Sequence, residues 1–442
     1  MPERPGDWSA ESLRMHRQYR GKIQSMPKVP IRSLRDFSIW YTPGVAAPCL
    51  AIRDDPGCIF DLTNRGNTVA IISDGTRVLG LGDIGPEAGL PVMEGKALLF
   101  KFLGGVDAVP LCLASKSAAD IVHAVQLLEP SFGGINLEDI EQPKCFRVLE
   151  SLQESLAVPV WHDDQQGSAT AVLAGLLNAL KVVGKNLTQL RIAMIGMGAA
   201  NVATYRLLKT AGADAAAIVG CDSKGTLHPD RGDLAAARTI FPDKWQIAQE
   251  SNSERIKGGI AEAMRGADVC IAFTRSGPGI IKAEWVRAMA RGSIVFACAN
   301  PVPEIWPEAA LAAGARIVAT GRGDFPNQVN NSLVFPGLFR GVLDVRAKRI
   351  TDQMALSAAR ELASCREAAG LDERHILPAM DNEDVAVRVA AAVGMAAQTQ
   401  GLAERRIDRE AILAGARETI GSARAALTVL MRDGVIPGEK RC

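Results

Sequence analysis

Two pairs of adjacent acids stand at the ends of short apolar runs: Glu138-Asp139 after GGINL and Asp163-Asp164 after VPVWH. Short apolar runs bounded by turn residues predict buried strands. In a parallel sheet both ends open at one edge, so three or four carboxylates converge there. Carboxylates crowded in this way repel one another unless a cation sits between them, and oxygen donors of this kind suit Mg²⁺ or Mn²⁺. Two helix caps are the alternative, because acids favour first turns. Adjacent side chains cannot all face one way, so one acid of each pair is expected to serve structure or proton transfer. His162, preceding the second pair, reads as a satisfied strand-end histidine.

A second constellation begins at Gly196-Met197-Gly198, between the strand-like RIAMIG and the helical AANVATYRLLKTAG. The first glycine permits a tight turn and the second lets the backbone approach a pyrophosphate. Ala199 and Ala200 open the helix whose N-terminus favours that charge. The third fingerprint position is Asn201 rather than Gly or Ala, so the match is imperfect. Asp222 ends the next strand, 26 residues after Gly196, where it can accept from ribose hydroxyls. An acid there favours NAD, because it repels a 2′-phosphate; the nearby Lys224 and Arg231 weaken that preference. For the glycine pair alone, an ordinary tight turn is the alternative.

The elements that must position these residues alternate. VAIIS from Val69, AVPLCLA, GGINLED and VPVWHDD read as strands; residues 118–128 and 143–156, EGKALLFKFLGG and SATAVLAGLLNALKVVG read as helices. From Leu190, RIAMIG, AAIVGCD, ADVCIAFT, GSIVFACANP and ARIVATG give five further strand candidates, a doubly wound pattern. Residues 223–253 are the least regular stretch. Residues 1–30 form a polar, proline-spotted lead, either an ordered arm or frayed. The Ala-rich tail from 351 is helical, broken near Pro378 and Gly401. The chain is therefore expected to be α/β with two principal domains, 1–165 and 166–350, the second Rossmann-like, and a helical tail over 351–442 packed on both.

Composition sets the outer limits. The 442 residues are 48% hydrophobic and 22% charged, enough for large cores and too apolar for disorder. Fifty Lys and Arg against 49 Asp and Glu leave a net charge of +1, which gives no reason to propose nucleic acid or a membrane surface as partner. Nine cysteines, none in a CxxC pair, fit a reducing, cytoplasmic compartment. Met1 to Arg20 lacks the apolar core of a signal peptide, and the apolar stretch near Ala171 to Val183 reads as too short and interrupted for a membrane span.

Seven blocks, in order over roughly residues 36–350, resemble the malic enzymes of the compact bacterial type: Tyr41-Thr42-Pro43-Gly44-Val45, SDGTRVLGLGDIG from Ser73, PVMEGKALLF from Pro91, GGINLEDI from Gly133, HDDQQG from His162, CANPVPE from Cys298 and PNQVNNSLVFPG from Pro326. The resemblance implies oxidative decarboxylation of (S)-malate to pyruvate and CO₂ with reduction of NAD or NADP, a divalent metal, and a homodimer or higher homo-oligomer. It implies a malic-type substrate and metal domain at the N-terminus. By motif, Tyr41 corresponds to the general acid, Lys96 to the general base, and Asp163 to the acid supporting proton transfer. Glu138, Asp139 and Asp164 correspond to the metal ligands, and Arg77, Asn300 and Asn331 to substrate contacts, Asn300 also lying beside the coenzyme. Gln166, Ser168 and Asn201 depart from the usual pattern. Larger relatives continue into a phosphotransacetylase-like domain, for which no room is expected here.

Each residue also has a plainer reading. Lys96 in EGKALLFKF reads as a solvated helix residue, Tyr41 as a turn-packing aromatic, Arg77 as a surface charge, and Asn300 and Asn331 as backbone caps, Asn330 being the better cap. As a base, Lys96 would need a pKa lowered by burial or a nearby cation. Malolactic conversion with tightly held NAD shares this constellation; non-catalytic nucleotide sensing would share only the fold, and the retained Tyr41, Lys96 and acidic residues argue against it.

Overall fold

The computed structural model describes residues 8–438. Met1–Asp7, within the expected lead, and residues 439–442, within the tail, lie outside the described residues. The rest of the lead is an ordered arm with the helix Ser9–Tyr19, and the helices Leu34–Trp40 and Ala46–Asp54 continue it beyond residue 30; none of the three buries a residue.

Two sheets follow. The first has strands β1 (Thr68–Ser73), β2 (Asp107–Cys112), β3 (Gly134–Leu137) and β4 (Val160–His162) in the order β2-β1-β3-β4, all parallel. The second has β5 (Ile192–Ile195), β6 (Ile218–Asp222), β7 (Gly225–Thr226), β8 (Val269–Ala272), β9 (Ile294–Ala297) and β10 (Ile317–Thr320) in the order β10-β9-β8-β5-β6-β7. Only β7, a two-residue strand in the stretch that looked irregular, runs antiparallel. Central strands β5 and β8 are buried along their whole length, as their unbroken apolar runs require when helices cover both faces, and β3 is buried likewise with Asn136 as its one polar side chain. The chain leaves β5 to one side for β6 and returns on the other for β8, so the crevice above β5 and β8 is a topological switch point.

Ser168–Val183 is the core helix expected from its apolar run. With the preceding π turn, Asp163–Val183 is long and apolar enough by composition to cross a membrane, beyond what its sequence suggested, yet two thirds of it is packed inside the protein. Buried Asn178 within it donates to the carbonyls of Ala363 and Ile376, both at 2.9 Å.

The tail forms the helices Asp352–Glu367, Glu383–Thr399 and Arg409–Arg432. Glu383–Thr399 lies against Phe335–Asp344, a helix whose first nine residues are buried. Phe335 and Phe339 in turn meet Phe100 at 4.5 and 5.3 Å between ring centroids. Phe100 belongs to the long helix Pro86–Gly104, which is held in its first half and in its last turn. Near its start the Lys22 ammonium donates to the Pro91 carbonyl at 2.5 Å, and the Lys22 N–H to Glu94 at 3.2 Å. Near its finish Arg424 Nε donates to the Phe102 carbonyl at 3.0 Å, with its guanidinium 4.8 Å from the Phe102 ring.

The Phe335–Asp344 and Glu383–Thr399 helices meet backbone to backbone: a Cβ at Gly341 would stand 2.3 Å from the Ala390 carbonyl oxygen, and one at Gly337 2.6 Å from that of Ala386. Gly341→Ala is therefore expected to destabilise the protein by about 1–3 kcal/mol through overpacking, against the ~1 kcal/mol that alanine gains in a helix. Urea unfolding measures this, and an unchanged or higher midpoint would contradict the close approach.

Candidate active site

The Pro86–Gly104 helix turns Met93, Lys96, Ala97 and Phe100 inward, a helical stripe with one charge in it. Lys96 is 7% exposed, and its ammonium stands 4.3 Å from the centre of the Phe335 ring. A buried ammonium must be paired. Here it donates to Asp163 Oδ2 in a short contact and to Glu138 Oε1 at 2.8 Å. It is thus not the solvated lysine of the plainer reading.

Each acid is held from its own strand. Asn136 Nδ2 donates to Glu138 Oε2 at 2.9 Å, and Trp161 Nε1 to Asp163 Oδ1 at 2.9 Å. Asp139 adopts a left-handed backbone (φ 55°), which lets its N–H reach Asp164 Oδ2 at 2.7 Å and bridge the two acidic turns. The Arg77 N–H donates to the Asp139 carbonyl at 3.0 Å. The SDGT turn is fixed by fully buried Asp74, which accepts from Thr76 Oγ1 at 2.6 Å and from Lys144. Asp163 opens the π turn Asp163–Gly167, where a Cβ at Gly167 would fall 1.9 Å from Asp163 Oδ1 and 3.1 Å from the Asn331 Cβ. Glycine is needed there by close approach, and Asn331 is brought to the same turn.

Burial and the neighbouring acids raise the Glu138 carboxyl well above its ordinary value despite Lys96. Burial first, then Asp164, pushes Asp139 up to about 8, and Asp164 is raised as well, burial again leading. Burial alone would lower the Lys96 pKa, but Asp163 and Glu138 reverse this and hold the ammonium charged. The lowered pKa expected of a base is therefore not a property of this arrangement of the chain by itself. His162 departs from expectation too. It is fully buried, neither ring nitrogen has a hydrogen-bond partner, and burial lowers its pKa to about 3, so it is neutral rather than satisfied.

Three oxygen donors, Glu138, Asp139 and Asp164, thus lie together with raised proton affinities, and the buried Oδ2 of Asp139 lacks a hydrogen-bond partner. This donor chemistry fits Mg²⁺ or Mn²⁺. Among the described residues no three ligating side chains already surround one point, and Lys96 holds Glu138.

The other predicted residues are placed less uniformly. Arg77 is exposed beside Asp139, near enough for its charge to act on both Asp139 and Asp164. Asn300 is exposed; a Cβ at Gly80 would stand 2.5 Å from its carbonyl oxygen, so the glycine-rich turn of the first unit meets the β9 end of the second. Asn330 is the cap of the adjacent pair, accepting from the Ser332 N–H at 2.9 Å. Tyr41 is 71% exposed and is not packed with buried Lys96.

At the switch point, Gly196 is left-handed (φ 84°), and a Cβ there would stand 2.3 Å from the Phe273 carbonyl oxygen. Gly198 has nothing nearer than Gln142 at 3.8 Å, leaving a face on which a pyrophosphate fits, with Ala199 opening the helix behind it. Asn201 is fully buried beneath this loop. Its Nδ2 donates to the carbonyls of Ile195 and Gly196 at 3.0 Å and of Ile271 at 3.3 Å. It joins helix to strand by hydrogen bonds where the usual small residue does so by contact.

Asn136, Trp161 and Gly167 escaped the sequence reading. Asn136 and Trp161 each lie two residues before the acid they hold, on the same face of their strand, so the two-residue period was the available signal.

Residues 20–153 match the family described as malic enzyme, N-terminal domain, and residues 165–398 that described as malic enzyme, NAD binding domain. The NAD-dependent malic enzyme of Geobacillus stearothermophilus is 48% identical over 87% of this chain and 78% of its own length. The bifunctional malic/malolactic enzyme of Bacillus subtilis is 45% identical over 91% of this chain and 96% of its own. The crystal structure of Entamoeba histolytica malic enzyme superposes with a TM-score of 0.95 at 46% identity, covering 98% of this chain and 90% of that one.

The crowded acids make a stability prediction. Adding Mn²⁺ to chelator-treated protein is expected to raise the melting temperature, the stabilisation reaching about 2.7 kcal/mol at a hundredfold excess over Kd. Glu138→Gln is expected to remove most of that rise. A melting temperature indifferent to Mn²⁺ in the unchanged protein would contradict the assignment.

Proposed function

The chain belongs to the malic enzymes, and from that membership we propose how its residues carry out the oxidative decarboxylation of malate to pyruvate and CO₂ with reduction of NAD or NADP. The observation that carries this reading is buried Lys96 between Asp163 and Glu138, beside Asp139 and Asp164.

Glu138, Asp139 and Asp164 would hold the divalent cation, which would supply Lewis-acid polarisation of the substrate oxygens, and the turn at Gly196 and Gly198 would hold the nicotinamide coenzyme, which would supply the hydride acceptor. Lys96 removes the proton from the 2-hydroxyl. For this it must first pass its own extra proton to Asp163, its hydrogen-bonded partner, and the pull of Glu138 on the ammonium must weaken. Both changes lower the Lys96 pKa toward the value a base needs. Arg77, exposed beside the acids, binds a carboxylate of malate, and Asn300 and Asn331 orient it from the second unit. Tyr41 returns a proton to the product carbon. The division into residues 1–165, 166–350 and 351–442 assigns substrate and metal to the first part and coenzyme to the second.

Tyr41 stands outside its own chain's Lys96 cluster, on an arm that exposes Leu34 (85%), Phe37 (51%), Ile39 (53%) and Trp40 (49%). Exposed apolar side chains contiguous in this way mark an interaction surface. We assign it to a second copy of the chain, which makes the enzyme a homo-oligomer. Unpaired cysteines throughout the described residues support a cytoplasmic setting.

The Bacillus subtilis relative supplies a second reading, malolactic conversion. Incubation with (S)-malate, Mn²⁺ and NAD⁺ or NADP⁺ distinguishes the two. Pyruvate with equimolar reduced coenzyme is expected; lactate without net reduction would establish the alternative, and no turnover with either coenzyme would return the chain to nucleotide sensing. Lys96→Ala is expected to lower kcat by about 10²–10⁴-fold while coenzyme binding, followed by fluorescence titration, persists. Trp40→Glu is expected to shift the oligomer toward single chains in light scattering after gel filtration, and a monomeric unchanged protein would refute the assembly.

A further inference from the structure

We propose that this chain selects NAD over NADP through a clamp in which Arg231 fixes Asp222 and is itself withheld from the coenzyme. The inference rests on the nucleotide-binding reading above and sharpens it.

Asp222 ends β6, next to the β5 strand that leads into the glycine turn. Its Oδ1 accepts from the Lys224 N–H at 2.9 Å and from Arg231 Nη1 at 3.2 Å, and its Oδ2 faces Arg231 Nη2 at 3.5 Å. Arg231 is engaged on its remaining sides as well. Nε and Nη2 donate to Asp233 at 2.6 and 2.8 Å, and Nη1 also reaches the carbonyls of Gly225 and Thr226, both at 3.2 Å. Its side chain is 10% exposed and that of Asp222 11%.

An arginine reads a phosphate with the planar fork of its guanidinium. Here the fork edges face two carboxylates and two carbonyls, so Arg231 has no donor left for a 2′-phosphate. The carboxylate it holds has acceptor capacity left, which matches the hydroxyl donors of an unmodified ribose and opposes a phosphate carrying nearly two negative charges. The other nearby cations do not reverse this. Lys224 Nζ lies 3.4 Å from Asp233, and Lys244 lies over the Phe241 ring at 4.9 Å, where burial disfavours its charge. Lys257 and Arg255 face Asp230, at 3.1 and 3.5 Å. Arg231 is thus a positioning residue for Asp222, and Asp222 is the specificity residue.

Direct titration of the full chain with NADH and NADPH, read by nicotinamide fluorescence, tests this without turnover. NADH is expected to bind at least about tenfold more tightly, a difference of ~1.4 kcal/mol. Asp222→Ser is expected to weaken NADH and strengthen NADPH, because it removes the carboxylate that opposes the phosphate and relieves the guanidinium edge that faced it. Arg231→Ala is expected to weaken NADH and leave NADPH no weaker, so that the ratio of the two constants falls; a general loss of structure would not move that ratio selectively, and melting curves confirm the fold of each variant. Equal or tighter NADPH binding by the unchanged chain would overturn the inference, as would an Arg231→Ala variant that loses NADPH selectively. Binding of neither coenzyme would overturn the nucleotide-binding reading and this inference with it, whereas tight NADPH with weak NADH would overturn this inference alone.

Discussion

A single buried positive charge organises the first half of the molecule. The Lys96 ammonium lies among aromatic and aliphatic side chains and is tolerable there only because Asp163 and Glu138 meet it. Those two acids come from different strands, so the register of β3 against β4 is tied to the position of a helix that belongs to neither. The acids are fixed in turn by Asn136 and Trp161, and the turns that carry them are joined through the Asp139 N–H. Removing either carboxylate would leave the ammonium half-paired in a dry environment, a more severe change than the loss of one contact.

The second half meets this cluster through the Phe335 ring over Lys96 and, at two turns, through close backbone approaches. The Gly80 turn lies against the Asn300 carbonyl and Pro301, and Gly167 lies against Asn331. Both contacts are close enough that glycine alone fits without displacement. At these points the two units are therefore brought into contact by the absence of side chains.

The alternating strands and helices were legible because each apolar run was short, bounded by turn residues and of a single period. The helix over 118–128 and the five strands after Leu190 follow from that pattern. Strand β7 was not, since two residues carry no period. At the site, the acids could be read from their place at strand ends, but the state of Lys96 could not: the sequence shows a lysine in an apolar helix and is silent on which charges the fold carries to it. His162 was misread for a related reason, because hydrogen-bond satisfaction depends on partners distant in the chain. Asn201 looked like a flaw in a fingerprint, and only its three carbonyl partners show how a polar residue meets the same packing demand.

The Pro86–Gly104 helix has one more property. Lys22 grips its first half at Pro91 and Glu94 and Arg424 its last turn at Phe102, so segments some four hundred residues apart hold the rod on either side of Lys96. The chain thus closes a mechanical loop around its own buried ammonium. Slack introduced at either grip, by a fusion partner pulling on the arm or by fraying of the Arg409–Arg432 helix, would be delivered as rotation or sliding of that rod. Distant edits near the two ends of the sequence then become adjustments of the distance between an ammonium and its two carboxylates.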